Sequence, residues 1–567
     1  MKRTKLNISD NTTSKKKSFE HDSKNICAPI TSLEDAWNYT ESPPDWVQKI
    51  IELKPRSNFV IQNSTLSCHS ESHQFTPSTR VDRRSTPRTL VCHDMKGGYI
   101  EDKFVEPINS GNGYTFYRWS QIDIFVYFSH HLITIPPISW INAAHSNGVK
   151  ILGTFITEWK PGKEICKQIF KDSQTLMKFI NVLVDICVLF KLDGWLLNIE
   201  NEVDEIDFLQ SFVKELTQKI HDKHPGSLII WYDSVINDGN LKWQNELNYF
   251  NSCYFNECDG IFLNYSWNED NLKNTVKSAE HRTLDVYVGV DVFGRNFFGG
   301  GNFNTYLAVE QIRKYGLSMA IFAQGWTHET LAPEPSHNIL ERFLIRDNAF
   351  WKSLWPYLYT HPINRLFETF FYVGVDKDWF KLHHQEVQLS QCLQSNEILE
   401  EATTVSTLTG TCNCLQLYCH GSHTLCCVTN KSFESDQTIT HHLFSCDIKV
   451  SSGIIIYCYY KLLDESVDHY LNLILLVQND NGSVSKIICQ GNKKIETESN
   501  RTIMEVNFSE EEEVLGVISK DRDVPLDWVL RCYLLQLNSC HITEIGAAAS
   551  NNSSICLCGI GIKEAPL

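Results

Sequence analysis

Asp193-Gly194-Trp195-Leu196-Leu197-Asn198-Ile199-Glu200-Asn201-Glu202 is a short apolar run that ends in Asn-x-Glu. Side chains two apart on a β-strand share a face, so Asn198 and Glu200 project together while Leu197 and Ile199 face the other way. An amide and a carboxyl side by side at the C-terminal end of a buried strand are costly unless both find partners, which makes the pair a candidate site. The bland reading is a carboxylate satisfied by a neighbouring Arg or Lys.

Outward from this strand, apolar runs alternate with polar loops and helical stretches. The runs are 90–92, 122–128, 149–155, 194–199, 228–232, 260–264, 286–292 and 319–323. Leu176, Phe179, Ile180, Leu183, Ile186, Cys187 and Phe190 fall at helical spacing, as do Phe208, Leu209, Phe212, Val213, Leu216 and Ile220. Strands alternating with helices are parallel βαβ units, and eight of them fit a (β/α)8 TIM barrel, an α/β fold. A doubly wound open sheet is the competitor, but Cys92-His93-Asp94-Met95-Lys96-Gly97-Gly98 is not its phosphate-binding glycine turn. In the barrel reading Leu196, Asn198 and Glu200 face the lumen and Trp195, Leu197 and Ile199 lie under the helices.

Past the barrel, the stretches 453–460, 471–477, 514–519 and 528–537 are β-branched or aromatic and separated by polar turns, which predicts an accessory β-sandwich. The expected division is a disordered tail over 1–31, an N-terminal extension over 32–84 with a helix near 46–53, the barrel over 85–375 and the sandwich region over 376–567. A chain of 567 residues with 42% hydrophobic and 11% aromatic content can bury such cores. Its net charge of −17 argues against nucleic acid as a partner. The start, Met1-Lys2-Arg3-Thr4-Lys5-Leu6-Asn7, has no apolar signal region, and no run reaches the roughly 18 apolar residues of a membrane span. The expectation is a cytosolic chain with no membrane partner, and its 20 Cys are read as reduced thiols.

In a barrel the strands' C-terminal ends form the working face. The residues collected there are His93 and Asp94, His130 and His131, Glu158 and Trp159, Asn198 and Glu200, Tyr232 and Asp233, Asn264 and Trp267, Asp291 and Arg295, and Gln324 and Trp326. Carboxylates, amides and indoles in one cup suit a glycoside-cleaving pocket, which needs an acid, a stabiliser of an oxocarbenium-like transition state and stacking walls. A two-carboxylate route would set Glu158, Asp233 or Asp291 as nucleophile opposite Glu200. A substrate-assisted route needs one acid/base carboxyl and one group to orient the sugar's acetamide, and Asn-x-Glu, with its side chains roughly 6.6 Å apart, fits it better. For His130 and His131 a structural role leads, because no third metal ligand is evident, and no metal or cofactor is expected.

Tyr127-Phe128-Ser129-His130-His131, Ile135-Pro136-Pro137, Leu152-Gly153-Thr154-Phe155-Ile156-Thr157-Glu158-Trp159 and the strand quoted above closely resemble the cytosolic endo-β-N-acetylglucosaminidases of glycoside hydrolase family 85. Trp231-Tyr232-Asp233-Ser234, Phe262-Leu263-Asn264-Tyr265 and Phe297-Phe298-Gly299-Gly300-Gly301 continue the match, in order, over about residues 85–350. The segment from Trp528 to Gly546 resembles the end of that family's accessory sandwich.

The resemblance implies cleavage of the GlcNAc-β1,4-GlcNAc core of N-glycans, with N-glycans, free oligosaccharides or glycopeptides as partners and a monomeric enzyme. It carries the oxazoline-orienting Asn onto Asn198, the acid/base Glu onto Glu200 and a Tyr that hydrogen-bonds the intermediate onto Tyr232. The indoles Trp159, Trp243, Trp267 and Trp326 are carried over as sugar-stacking walls, and Glu158, His93, Asn264 and Asp291 complete the expected substrate-binding set. Two other classes compete. A glycan-binding lectin would have no need of Glu200 and Asn198, and a chitinase-like hydrolase would show Asp-x-Asp-x-Glu where this chain has Leu196 and Asn198.

Overall fold

The structure is a computed structural model and describes residues 26–63, 77–105, 113–332, 339–370, 415–420, 423–430, 440–462, 469–492, 503–519, 528–537, 539–550 and 553–566. Eight parallel strands close on themselves: β1 (Thr89–His93), β2 (Ile124–Tyr127), β3 (Lys150–Glu158), β4 (Gly194–Glu200), β5 (Leu228–Tyr232), β6 (Gly260–Leu263), β7 (Val286–Asp291) and β8 (Ser318–Phe322). Each pairs with the next, and β8 returns to β1 through Met319 with Thr89 to Phe322 with Cys92. The eight-stranded barrel is thus complete.

Period-two alternation separates the two sides of the barrel wall. Leu90, Cys92, Val126, Leu152, Ile156, Leu196, Ile230, Tyr232 and Phe262 fill the lumen as one apolar cluster. Val91, Phe155, Trp195, Leu197, Ile199, Trp231 and Val288 instead meet the surrounding helices. Because both faces are buried, each strand reads as a continuous apolar run. The helical layer is less regular than the sequence suggests. No α-helix follows β1 among the described residues, and only the short helix Ser252–Phe255 follows β5.

The strand that carries the candidate pair is fixed at its start. The Asp193 carboxylate accepts from the Ile151 backbone N–H at 2.8 Å and from His145 Nε2 at 3.0 Å, tying β4 to β3. Gly194 follows with φ +135°, and a Cβ there would stand 1.8 Å from the Leu228 carbonyl oxygen. Only glycine lets β4 and β5 approach this closely.

Two sheets build the accessory β-sandwich. One runs in the order Leu415–His420, His423–Asn430, Ser553–Glu564, Ile454–Leu462, Val529–Leu535, and the other His441–Val450, Cys540–Ala549, Leu471–Asn479, Val484–Cys489, Ile503–Val506. Ile454, Ile456 and Cys458 face Leu471, Leu473 and Leu475 between the sheets. The outer face of the first sheet is covered by the helix Glu512–Ser519 through Val514 and Ile518. A strand had been expected there. Val514 and Ile518 sit one helical turn apart, and acidic residues open the helix, where its dipole favours them.

Other boundaries also differ from the sequence reading. Of the expected tail, residues 1–25 lie outside the described residues, while Ile26 bridges Phe104, Ile30 bridges Ile133 and Cys27 is buried. The helix expected near 46–53 is a single 3-10 turn, Asp45–Lys49. Glu368–Thr369 already pairs with Ser553–Glu564, so the sandwich recruits chain ahead of residue 376. The extension strand Phe59–Gln62 pairs with Arg80–Asp82 and with Tyr359–Thr360. Beside it, Ser57 Oγ donates to Asp447 at 2.5 Å, Arg80 donates to the Cys446 carbonyl at 2.5 Å and the Ser78 N–H donates to the buried Glu544 at 3.0 Å. The extension therefore clamps barrel to sandwich. Among the described residues no helix is long and apolar enough to cross a membrane, and every described cysteine side chain is unbridged.

Candidate active site

Glu200 ends β4 half-buried, with Asn198 buried two residues before it on the same lumenal side. Removal from water pushes the Glu200 carboxyl up to about 7, and the neighbouring Glu158 carboxylate pushes in the same direction. The nearby His130 and a hydrogen bond from the Asn198 amide pull it back only in part. The Asn198 Oδ1 atom is buried and has no hydrogen-bond partner. An orphaned acceptor of this kind costs stability and points to an incoming N–H donor.

Tyr232, at the lumenal end of β5, donates its hydroxyl to Asn264 Oδ1 at 2.9 Å, and Asn264 in turn donates to Asn245 Oδ1 at 2.7 Å. Burial, then the charge of Glu200, holds the phenol far above its ordinary range, so it stays a neutral donor. Tyr265, which sequence reasoning left without a role, packs its ring 6.4 Å from that of Tyr232 and 5.3 Å from Phe322. It lies beyond the end of β6, where period two no longer tells direction.

The three carboxylates considered as nucleophiles have different fates. Asp233 is fully buried and accepts from the backbone N–H groups of Gln244, Asn245 and Asn264 and from Asn251 Nδ2. Burial pushes it up to about 6 against these donors. Asp291 is bound on both oxygens by Arg295, at 3.0 and 3.1 Å, and caps the backbone of Phe293 and Arg295. Glu158 stands in register with Glu200 on the adjacent strand, its two oxygens 3.2 and 3.1 Å from His130 Nδ1.

Several expected binding residues are placed elsewhere. His93 shares the outward side of β1 with Val91, where it is buried against Tyr114, Phe125 and Trp140 and hydrogen-bonds Gln324. Burial holds its ring at about 3, so it is neutral, and it does not reach the lumen. Trp267 is buried as well, donating to the Gly289 carbonyl at 2.7 Å and stacking on Phe298. Trp326 is buried between Phe303 and the Arg346 guanidinium, which lies 4.1 Å over its ring. By contrast Trp159, the first residue of the helix Trp159–Ile169, is 75% exposed, and Trp243, in the loop after β5, is 42% exposed. Trp159 adopts φ +56°, a strained backbone for an aromatic residue, immediately after β3.

A closed (β/α)8 barrel whose fourth strand ends in a carboxyl made weakly acidic by burial, beside an amide whose oxygen is unpaired and with a buried phenol next door, has the layout of a glycoside hydrolase. The chain belongs to glycosyl hydrolase family 85, whose family model matches residues 98–391, just over half of its length. It is similar to the cytosolic endo-beta-N-acetylglucosaminidases of Gallus gallus (45% identical over 318 residues, 53% of this chain and 43% of that protein) and Mus musculus (47% over 293 residues, 51% and 39%). The Homo sapiens protein of the same name is 41% identical over 360 residues, 60% of this chain and 46% of that one. The matched region thus spans less than half the length of these curated relatives. Among solved structures, the glycoside hydrolase domain of Endo-D from Streptococcus pneumoniae R6 superposes with a TM-score of 0.62, covering 95% of this chain and 83% of that one at 13% identity. That likeness concerns the fold, and it extends through barrel and sandwich together.

Proposed function

We propose that this chain is a cytosolic endo-β-N-acetylglucosaminidase that cleaves the GlcNAc-β1,4-GlcNAc core of N-glycans, on glycopeptides or free oligosaccharides, by a retaining, substrate-assisted route. The observation that carries the reading is the buried, unpartnered Asn198 Oδ1 beside a Glu200 that still holds its proton near neutrality. An acetamide N–H would satisfy that oxygen and turn the acetamide carbonyl toward the anomeric carbon. Glu200 gives its proton to the leaving oxygen as the C1–O bond breaks and the acetamide oxygen bonds to C1, forming an oxazolinium ion that keeps its N–H on Asn198, and Tyr232 turns its hydroxyl from Asn264 to donate to that intermediate. Glu200, now a carboxylate, takes a proton from water as the water reopens the ring. A sugar hydroxyl in place of the water gives transglycosylation.

The fates of the other carboxylates support this route over a protein nucleophile. Asp233 and Asp291 spend both oxygens on fixed donors. Glu158 lies on the wall adjacent to Glu200 rather than across the sugar from it. Of the four indoles expected at the mouth, Trp159 and Trp243 are exposed and would stack on sugar faces, while Glu158 would bind hydroxyls and Asn264 would aim Tyr232. The working unit is taken to be a monomer divided into an extension, a catalytic barrel and an accessory sandwich.

The deciding experiment incubates the protein with a high-mannose glycopeptide and, separately, with a chitin oligomer. Release of the glycan with one GlcNAc left on the peptide, and no attack on chitin, supports the reading. Binding without cleavage would make the chain a lectin, and chitin cleavage would make it a chitinase-like enzyme.

A further inference from the structure

Four acid–base groups line one stretch of the barrel mouth in strand order: Asp94 after β1, His130 after β2, Glu158 ending β3 and Glu200 ending β4. His130 has no part in the route above. Its ring is 56% exposed, yet its Nδ1 is held by both oxygens of Glu158, which is itself 18% exposed. Glu158 and Glu200 are register partners on neighbouring parallel strands, so their carboxyls emerge side by side about 4.8 Å apart at the backbone.

This arrangement creates a charge problem when Glu200 acts. Once its proton has gone to the leaving oxygen, two carboxylates stand next to each other in a half-buried cup, and like charges at that separation strongly disfavour the second ionisation. We propose that His130 is a positioning residue for the reaction: kept protonated by its bond to Glu158, it cancels the Glu158 charge and so lets Glu200 surrender its proton. His130 keeps its own proton throughout. The bond exchange stays with Glu200, the leaving oxygen and the acetamide. The inference rests on Glu200 being the acid.

The surroundings agree with the sign. The hydrogen bond that His130 donates to Glu158 leads the causes that raise the His130 ring above its ordinary value, with the Glu158 charge, Asp94 and Glu200 adding to it. Asp94 in turn faces His130, Arg295 and Glu158 and, from the short helix Trp326–Glu329 after the neighbouring β8, Glu329. Arg295 is committed to Asp291, which leaves His130 as the cation hydrogen-bonded to Glu158 on Glu200's own stretch of wall. Tyr232 and Tyr265, the phenols beside Glu200, stay neutral because burial holds both far above their usual range. An ion pair this exposed contributes little to stability, so the fold does not depend on His130.

The test is the pH profile of kcat/KM on a glycopeptide for the wild type, His130→Gln, His130→Lys, Glu158→Gln and the His130→Gln/Glu158→Gln double variant, with Glu200→Gln as control. Loss of the cation should move the alkaline limb up by about 0.5–1 unit, the effect of one partly screened charge, and slow kcat by roughly 3–10-fold. Lysine at 130 should restore the wild-type limb, which a merely structural role would not do. Glu158→Gln alone should lower the limb, and adding His130→Gln to it should move the limb no further. An unmoved limb in His130→Gln, a lysine variant no better than the glutamine one, or an undiminished shift in the double variant would each overturn the proposal. Should His130→Gln fail to fold by circular dichroism, the lysine and Glu158→Gln arms decide the matter. Full activity in Glu200→Gln would instead sink the underlying assignment of the acid.

Discussion

A carboxyl that protonates a glycosidic oxygen near neutrality has to be a weaker acid than free glutamic acid, and Glu200 is made so chiefly by burial. Replacing it with Gln should cost about 10²–10⁴-fold in glycopeptide cleavage, the usual share of general acid–base catalysis, while a supplied glycan oxazoline, which needs no leaving-group proton, should rescue the first step alone. The wild-type alkaline limb of kcat/KM should fall near pH 7. The same shift is a stability statement. The folded state holds the proton more tightly than the unfolded chain, so the Glu200 contribution is complete below the unfolded value of 4.5 and is lost as pH rises through about 7. Thermal unfolding of Glu200→Gln should therefore show a gain over wild type that is largest above pH 7 and vanishes below about pH 4.5. Asn198→Ala should form oxazoline poorly yet still couple a supplied oxazoline to a GlcNAc acceptor through Glu200 as base. Mass-spectrometric trapping of a glycosyl ester on Glu158 would count against this scheme.

At the scale of elements, β4 delivers the pair because Gly194 lets it lie against β5. Gly194→Ala should cost about 3 kcal/mol or more by urea unfolding, since the new Cβ meets backbone rather than a movable side chain. The strands were legible because burial on both faces leaves long apolar runs, and the alternation Leu196, Asn198, Glu200 could be read directly as lumenal. The same rule, applied from Leu90 and Cys92, would have turned His93 outward; reading it as a mouth residue counted strand ends and neglected parity. Trp267 and Tyr265 lie past the last strand residue, where no period reports direction. The helix Glu512–Ser519 was read as a strand because its apolar run is too short for periodicity to separate the two.

The whole molecule is held by polar contacts that no local pattern announces. Asp447 accepts from Ser57 and lies within 3.4 Å of Arg80 and 3.2 Å of His541, joining extension and sandwich. Asp447→Ala leaves the half-buried Arg80 short of a partner and should cost about 1–3 kcal/mol. Calorimetry should then split one transition into two, with faster proteolysis at the barrel–sandwich junction. Such contacts join residues far apart in sequence, which is why the clamp could not be foreseen from the extension's mixed composition.

Those separations also set a clock. Ser57 meets Asp447 across 390 residues and the Ser78 N–H meets Glu544 across 466. A chain made from its N-terminus at about 5–20 residues per second exposes the extension for roughly 25–90 s before Glu544 exists to receive it. The barrel can close during that interval, because β8 needs only β1 and β7, but the clamp cannot. The strand Phe59–Gln62 is spared part of that wait, since its partner Tyr359–Thr360 is made earlier. Residues 57–63 and 77–82 thus wait for clamp partners made several hundred residues later, and a ribosome that stalls before residue 447 leaves a barrel with its strap undone.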